Sequence, residues 1–237
     1  MTNPEISVVM ITMNEEKAVT KVIADIRSAT AGRSVEVLIV DSSRDRTPDI
    51  ATELGARVFR QFPPQGYGRA MYCGLREARG SVVVTLDCDD TYPADQILPL
   101  ADMVLSGSCD VVNASRLEHR SAAMPWANYA ANAVFALTSR LLTGVRTTDV
   151  HSGMRAYSRR VLREIEFDAS GPALPVELLL KPAVLGFRVA EVFIDYRDRI
   201  GVSTLQKWSS TFWTFKRILR CFALRGLVQP HGGAGRA

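Results

Sequence analysis

Short runs of β-branched residues at 6–11, 35–40, 57–59 and 81–86 are separated by stretches with helical periodicity at 15–29, 48–54 and 69–78. A chain that switches repeatedly between a period of 2 and a period of 3.6 is committed to β-α-β-α order, hence to a mainly parallel sheet with helices on its faces. Further along, the pattern predicts helices at 94–105, 126–142 and 176–185 and strands at 110–114 and 189–196. At 237 residues and 47% hydrophobic content the chain has enough apolar side chains for one α/β core. The expected division is a main domain at 1–204, an amphipathic helix at 205–225 and a disordered tail at 226–237.

Asp87 lies just past the fourth predicted strand, and open α/β sheets place their ligands at the carboxyl ends of strands. Asp87-Cys88-Asp89-Asp90 crowds carboxylates there, an arrangement that a hard divalent cation relieves. The alternative is an acidic turn capping the next helix through Thr91-Tyr92-Pro93.

Four segments in order, Ile6-Ser7-Val8-Val9-Met10-Ile11-Thr12-Met13-Asn14-Glu15-Glu16, Val37-Leu38-Ile39-Val40-Asp41-Ser42-Ser43-Arg44-Asp45, Gly66-Tyr67-Gly68-Arg69-Ala70 and Asp87-Cys88-Asp89, resemble the signatures of family-two glycosyltransferases. Asp149-Val150-His151-Ser152-Gly153-Met154-Arg155 resembles that family's D-x-x-S-G-x-R segment, and the likeness is greatest to its polyprenyl-phosphate branch. The resemblance implies an α/β fold of GT-A type, Rossmann-like, and an inverting enzyme that uses a nucleoside-diphosphate sugar, GDP- or UDP-linked, with Mg or Mn. Carried over by position, Asp87 and Asp89 hold the metal, and Thr12, Asn14, Glu15, Asp41, Gly68 and Cys88 line the donor site. Asp149 and Arg155 are expected to take part in catalysis, and Arg116, Ser152, Arg155, Glu177 and Arg199 to meet the acceptor. The sequence departs from the family pattern where Ile11 and Met13 replace proline and tyrosine, and where 40–45 is one residue short.

Two acceptor classes stay open. A polyprenyl phosphate oxygen is already anionic near neutral pH, its second pKa being about 6, and needs no base. A hydroxyl of a small molecule or glycan needs one, for which Asp149 and Glu177 are the candidates. A non-catalytic nucleotide-sugar-binding subunit is the reading from another class. A nucleotidyltransferase is disfavoured because Met10-Ile11-Thr12-Met13-Asn14 is not a G-x-G-x-R loop, and a serine hydrolase using His151 lacks a G-x-S-x-G elbow.

After Asp198 there is no acidic residue, whereas Arg199, Lys207, Lys216, Arg217, Arg220, Arg225 and Arg236 are basic. Leu205, Trp208, Phe212, Phe215, Leu219 and Phe222 fall on one helical stripe, with Lys216, Arg217 and Arg220 expected outside it. Such a stripe docks on a membrane interface, on the domain itself or on a second copy in a homo-oligomer. No leader-like segment precedes Ile6, no apolar run reaches the roughly 20 residues of a membrane span, and the four cysteines form no C-x-x-C pair. A cytoplasmic location, extending to the cytoplasmic membrane face, is the expectation; no nucleic-acid motif is present.

Overall fold

The computed structural model describes residues 3–118, 121, 124–201 and 207–227, with side chains in the last helix given for 211–226. The strands are β1 (Ile6–Thr12), β2 (Val35–Asp41), β3 (Arg57–Arg60), β4 (Val82–Thr85), β5 (Val111–Ser115), β6 (Arg155–Ser158) and β7 (Val189–Phe193). They form one sheet in the order β3-β2-β1-β4-β6-β5-β7, in which β6 alone runs antiparallel to its neighbours. The helices are α1 (Val19–Ala29), α2 (Thr47–Glu53), α3 (Tyr67–Glu77), α4 (Ile97–Leu105), α5 (Trp126–Thr143), α6 (Arg159–Glu164), α7 (Leu174–Val184) and α8 (Lys207–Leu227).

Burial on both faces explains the apolar strands. Ile6, Val8 and Met10 of β1 pack with Val22, Ile23 and Ile26 of α1 and with Ile97 and Leu100 of α4. Val9, pointing the other way, joins Leu38, Val40, Val83, Met71 and Leu75 under α3 and α7. In α1 the buried residues Val19, Val22, Ile23 and Ile26 repeat at three- and four-residue steps, one stripe of a helix.

Three local expectations change. The first helix begins at Val19 and not at 15, because 15–18 form a turn in which the Glu15 carbonyl accepts from the amides of Ala18 and Val19. Strand β6 and helix α6 were absent from the sequence reading: Arg155-Ala156-Tyr157-Ser158 is short, carries an arginine and has no apolar alternation, yet its first three residues are buried. The C-terminal helix forms, but its buried side holds Thr214, Arg217, Ile218 and Cys221, while Phe212, Phe215, Leu219 and Phe222 face outwards. Arg217, off the aromatic stripe as expected, is buried and ion-paired with Glu177 and Asp168. Leu205, the side chain of Trp208, Arg236 and the tail from 228 onwards lie outside the described residues.

Candidate functional site

The winding of the sheet reverses at β1: β2 and β3 lie to one side of it and β4 to the other. Connections that leave β1 and β4 diverge there, opening the crevice at the strands' carboxyl ends where this class of sheet binds ligands. A cavity of about 830 Å³ occupies it, lined among others by Thr12, Glu15, Gly68, Asp87, Cys88, Asp89 and Arg199. Its lining also includes Met13, Ser42, Pro64, Gln65, Tyr67 and Arg69, and the loop Ala169, Ser170, Gly171, Pro172. The sequence reading assigned no role to that loop; its Ser-Gly-Pro turn composition marked a loop but gave no hint that it folds over the strand ends.

Asp87 is partly buried and, among the described residues, receives no hydrogen bond. Burial first, then the neighbouring Asp89 charge, push its carboxyl up to about 7, against the pull of Arg116 and Arg199. Gly153 is what makes room for it: a Cβ at that position would sit 2.8 Å from Asp87 Oδ2. Asp89 is buried; its Oδ1 accepts from the Thr91 amide at 3.1 Å and the Thr91 hydroxyl at 2.5 Å, and its Oδ2 meets Arg199 Nη2 at 2.5 Å. Thus the turn reading of this acidic group is true of Asp89 Oδ1 without accounting for Asp87. Glu15, in the loop after β1, is likewise raised to about 7 by burial and by Asp89, Asp87 and Asp45, with Arg199 opposing. Cys88 lines the cavity, but its thiol is buried in the apolar core and raised in pKa by that burial.

Asp41 closes β2, and Asn14 lies in the loop after β1. Asp41 is fully buried; Oδ1 accepts from Thr12 Oγ1 and Ser43 Oγ at 2.6 Å each, and Oδ2 from the Ser43 amide at 3.0 Å and from Arg60. A carboxylate offers about four lone-pair directions, and all are filled. Asn14 takes a left-handed φ of 63°, its amide donating to Ser43 Oγ at 2.8 Å and its Oδ1 accepting from the Arg44 amide at 2.9 Å, which ties the β1 and β2 loops together. Gly68 faces the loop after α6, where a Cβ would come 2.4 Å from the Ala169 carbonyl oxygen; close loop packing demands glycine there.

The residues expected at the acceptor side divide. Arg199 reaches the cavity and Arg116 stands beside Asp87, its charge felt there. Asp149 is fully buried and gripped bidentately by Arg116, Nε to Oδ2 at 2.6 Å and Nη2 to Oδ1 at 3.0 Å; the Arg116 and His151 amides fill its remaining lone pairs. Although burial alone would raise it, Arg116 holds the Asp149 carboxyl below the usual range. Arg155 is buried, donating to Asn113 Oδ1 at 2.6 Å, the Val150 carbonyl at 2.9 Å and the Pro175 carbonyl, which braces β6 against β5 and α7. Ser152 donates to the Ala114 carbonyl at 2.5 Å. Glu177 pairs with Arg217 and with Lys181 at 3.2 Å. Arg155, Ser152 and Glu177 do not line the cavity. His151 bridges Asn132 of α5 at 3.1 Å and Thr214 of α8 at 2.8 Å, and burial lowers its pKa to about 4.

A seven-stranded, mainly parallel sheet with a crevice at its strand ends, an acidic pair there and an arginine opposite, is an α/β fold of GT-A type. The signature described as "Glycosyl transferase family 2" matches residues 7–166, and the chain belongs to that family: it is a glycosyltransferase. It is 43% identical over 205 residues to a dolichyl-phosphate hexose transferase of Haloferax volcanii, covering 86% of this chain and 88% of the relative. It is 29% identical over 214 residues to a polyprenol monophosphomannose synthase of Mycolicibacterium smegmatis, covering 84% and 80%. The fold is that of glucosyl-3-phosphoglycerate synthase from Mycobacterium tuberculosis, solved with uridine diphosphate: TM-score 0.73 at 24% identity, covering 98% of this chain and 83% of the other.

Proposed function

We propose that the protein transfers a hexose from a nucleoside-diphosphate sugar to a polyprenyl phosphate, with inversion at the anomeric carbon and with a divalent cation at Asp87 and Asp89. The observation that carries this reading is the Asp87 carboxylate, facing the cavity without a hydrogen-bond donor among the described residues, its pKa raised by burial and then by Asp89. Oxygen ligands at a strand end suit Mg or Mn, and Asp87 together with Asp89 Oδ2, released by Arg199, would hold it. Bound there, the cation would offset charge on the departing diphosphate.

The chain's own residues do the rest. Glu15 and the Thr12–Asp41 pair border the nucleoside end; Asp41 accepts a new hydrogen bond only by giving up one of its present donors, and Arg60, half-exposed, is the one free to move. Gly68 lets the loop at 169–171 come close over the diphosphate end, and Cys88 is among the residues lining it. Arg199 and Arg116 supply positive charge for an anionic acceptor. The acceptor oxygen attacks the anomeric carbon as the bond to the diphosphate breaks on the opposite face.

A phosphate acceptor is favoured over a hydroxyl because no proton has to be taken up. Both candidate bases are committed elsewhere: Asp149 to Arg116, and Glu177 to Arg217 and Lys181 outside the cavity. The names of the two polyprenyl-linked relatives support the same choice. The test is thermal unfolding with UDP and GDP, each with Mn, Mg or chelator, since a ligand at a hundredfold its Kd stabilises by about 2.7 kcal/mol. A cation-dependent shift with one nucleotide, followed by sugar transfer to a polyprenyl phosphate, is expected. Transfer to a soluble glycan but to no lipid phosphate would overturn the acceptor, and no shift with any nucleotide would favour a binding subunit of another kind.

A further inference from the structure

The loop between α6 and α7 walls the cavity, and its backbone is gripped from two sides in alternation. The carbonyls of Asp168 and Ser170 accept from Arg217 Nη2 at 2.7 Å and 2.5 Å. Those of Ala169 and Gly171 face the other way, onto Gly68 at the start of α3, where a Cβ would come 2.4 Å and 2.6 Å from them. Successive groups of an extended segment point to opposite sides, so one guanidinium takes the even carbonyls and one glycine admits the odd ones. One turn before Arg217 on α8, the Trp213 ring lies against Gly171. Gly171 has a φ of 72°, and a Cβ there would meet the ring at 2.6 Å.

We propose that Arg217 of α8 is a positioning residue for the sugar donor, fixing through the Asp168 and Ser170 carbonyls the wall against which the nucleoside-diphosphate sugar binds, a role that rests on the donor reading of this cavity. Arg217 does not itself line the cavity, so it acts through the loop. It is fully buried, with its charge matched by Glu177 and by Asp168 Oδ2 at 2.9 Å. Desolvating such a pair is costly, and an apolar side chain of similar size would hold α8 on α7 without that cost. What an apolar side chain could not do is hold two backbone carbonyls of a loop. The orientation of the group agrees: both Nη atoms meet the loop and the carboxylates, while the buried Nε has no hydrogen-bond partner among the described residues.

The same two carboxylates also hold the amides of the loop. The Asp168 amide donates to Glu177 Oε1 at 3.2 Å, and the Ser170 amide to Asp168 Oδ1 at 2.9 Å. Arg217 therefore sets both the carbonyls of the loop and the acceptors of its amides. A planar fork with separate Nη donors serves carboxylates and carbonyls at once; a lysine ammonium, a point charge on a flexible stem, keeps the pairing with Glu177 and loses this geometry.

The experiment compares the full wild-type chain with Arg217→Lys, which keeps the charge that Glu177 requires, and with Gly171→Ala, which leaves Arg217 in place and drives a Cβ into the Trp213 ring. Amide hydrogen exchange is read at Asp168 and Ser170, alongside the affinity for UDP and GDP with Mn and the KM values for donor and acceptor. Both variants are expected to exchange about tenfold faster at these two amides and to bind the nucleotide about tenfold more weakly. The donor KM rises by the same factor, with the acceptor KM and kcat close to wild type. A role in stability alone would lower the folded fraction, hence kcat, and leave the donor KM where it is. Wild-type exchange in Arg217→Lys overturns the role, and so does wild-type nucleotide affinity in either variant. Nucleotide binding by the wild type that both variants match removes this role and leaves the donor reading standing; absence of binding in the wild type removes both.

Discussion

Asp87 and Asp149 sit near one another in the same molecule and differ in almost every physical respect. Asp149 is closed off: a bidentate arginine and two backbone amides saturate it, and its carboxyl is held acidic. Asp87 faces a cavity, receives no hydrogen bond among the described residues, and is raised to about 7. The surroundings of β6, with Asp149–Arg116 and Glu177–Arg217 as ion pairs and Arg155 held by the Asn113 amide and two backbone carbonyls, are a brace. The crevice at β1 and β4 is a set of charges that a ligand would complete. A buried pair that is internally satisfied reads as architecture, and an unsatisfied acidic cluster at a strand end reads as a site.

The contrast predicts opposite responses to the same substitution. Asp87→Asn is expected to cut sugar transfer on the order of 10³-fold and to abolish the cation-dependent nucleotide shift, while the unligated melting temperature stays level or rises because a repulsion is removed. Asp149→Asn should instead lower stability by about 3–5 kcal/mol in urea titration, since Arg116 is left as an uncompensated buried charge. Were Asp149→Asn to keep its stability and lose turnover, Asp149 would be the base after all and the two regions would exchange roles.

His151 tests whether the brace is also electrically closed. Its folded pKa of about 4 lies below the ordinary 6.5, so the unfolded chain takes up the proton first as pH falls. The stabilisation is present above 6.5 and lost between 6.5 and about 4, a decline on the order of 2–3 kcal/mol that His151→Gln should flatten in pH-dependent melts. The smallest effect is expected for Arg60→Ala, about 1 kcal/mol or less, because Arg60 is 45% exposed although its partner Asp41 is buried. A loss above about 2 kcal/mol would place Asp41 with Asp149, as a carboxylate that needs its arginine.

How much of this was legible varies from residue to residue. The crevice at the strand ends was, because β1, β2 and β4 are buried on both faces and so write themselves as apolar runs, with Thr12, Asp41 and Asp87 at or just beyond their ends. Strand β6 was not: Arg155 is charged, and only its bonds to Asn113, Val150 and Pro175 make burial possible. The same holds for Arg217: helical period sets it off the aromatic stripe, and only Glu177 and Asp168, far away in the chain, make its burial possible. Likewise, in the D-x-x-S-G-x-R segment no local pattern shows that Ser152 and Arg155 are hydrogen-bonded into the sheet and that Gly153 leaves Asp87 its space.

By itself the sequence determined the β-α-β order and the acidic pair just past the fourth strand, because hydrophobic periodicity and strand ends are local properties of the chain. Only the tertiary structure decided which charged groups are already matched, since a carboxylate's partner is chosen by distance in space and not along the chain. That choice separates Asp149 from Asp87, and it turned Arg217 inwards and the aromatic stripe of α8 out.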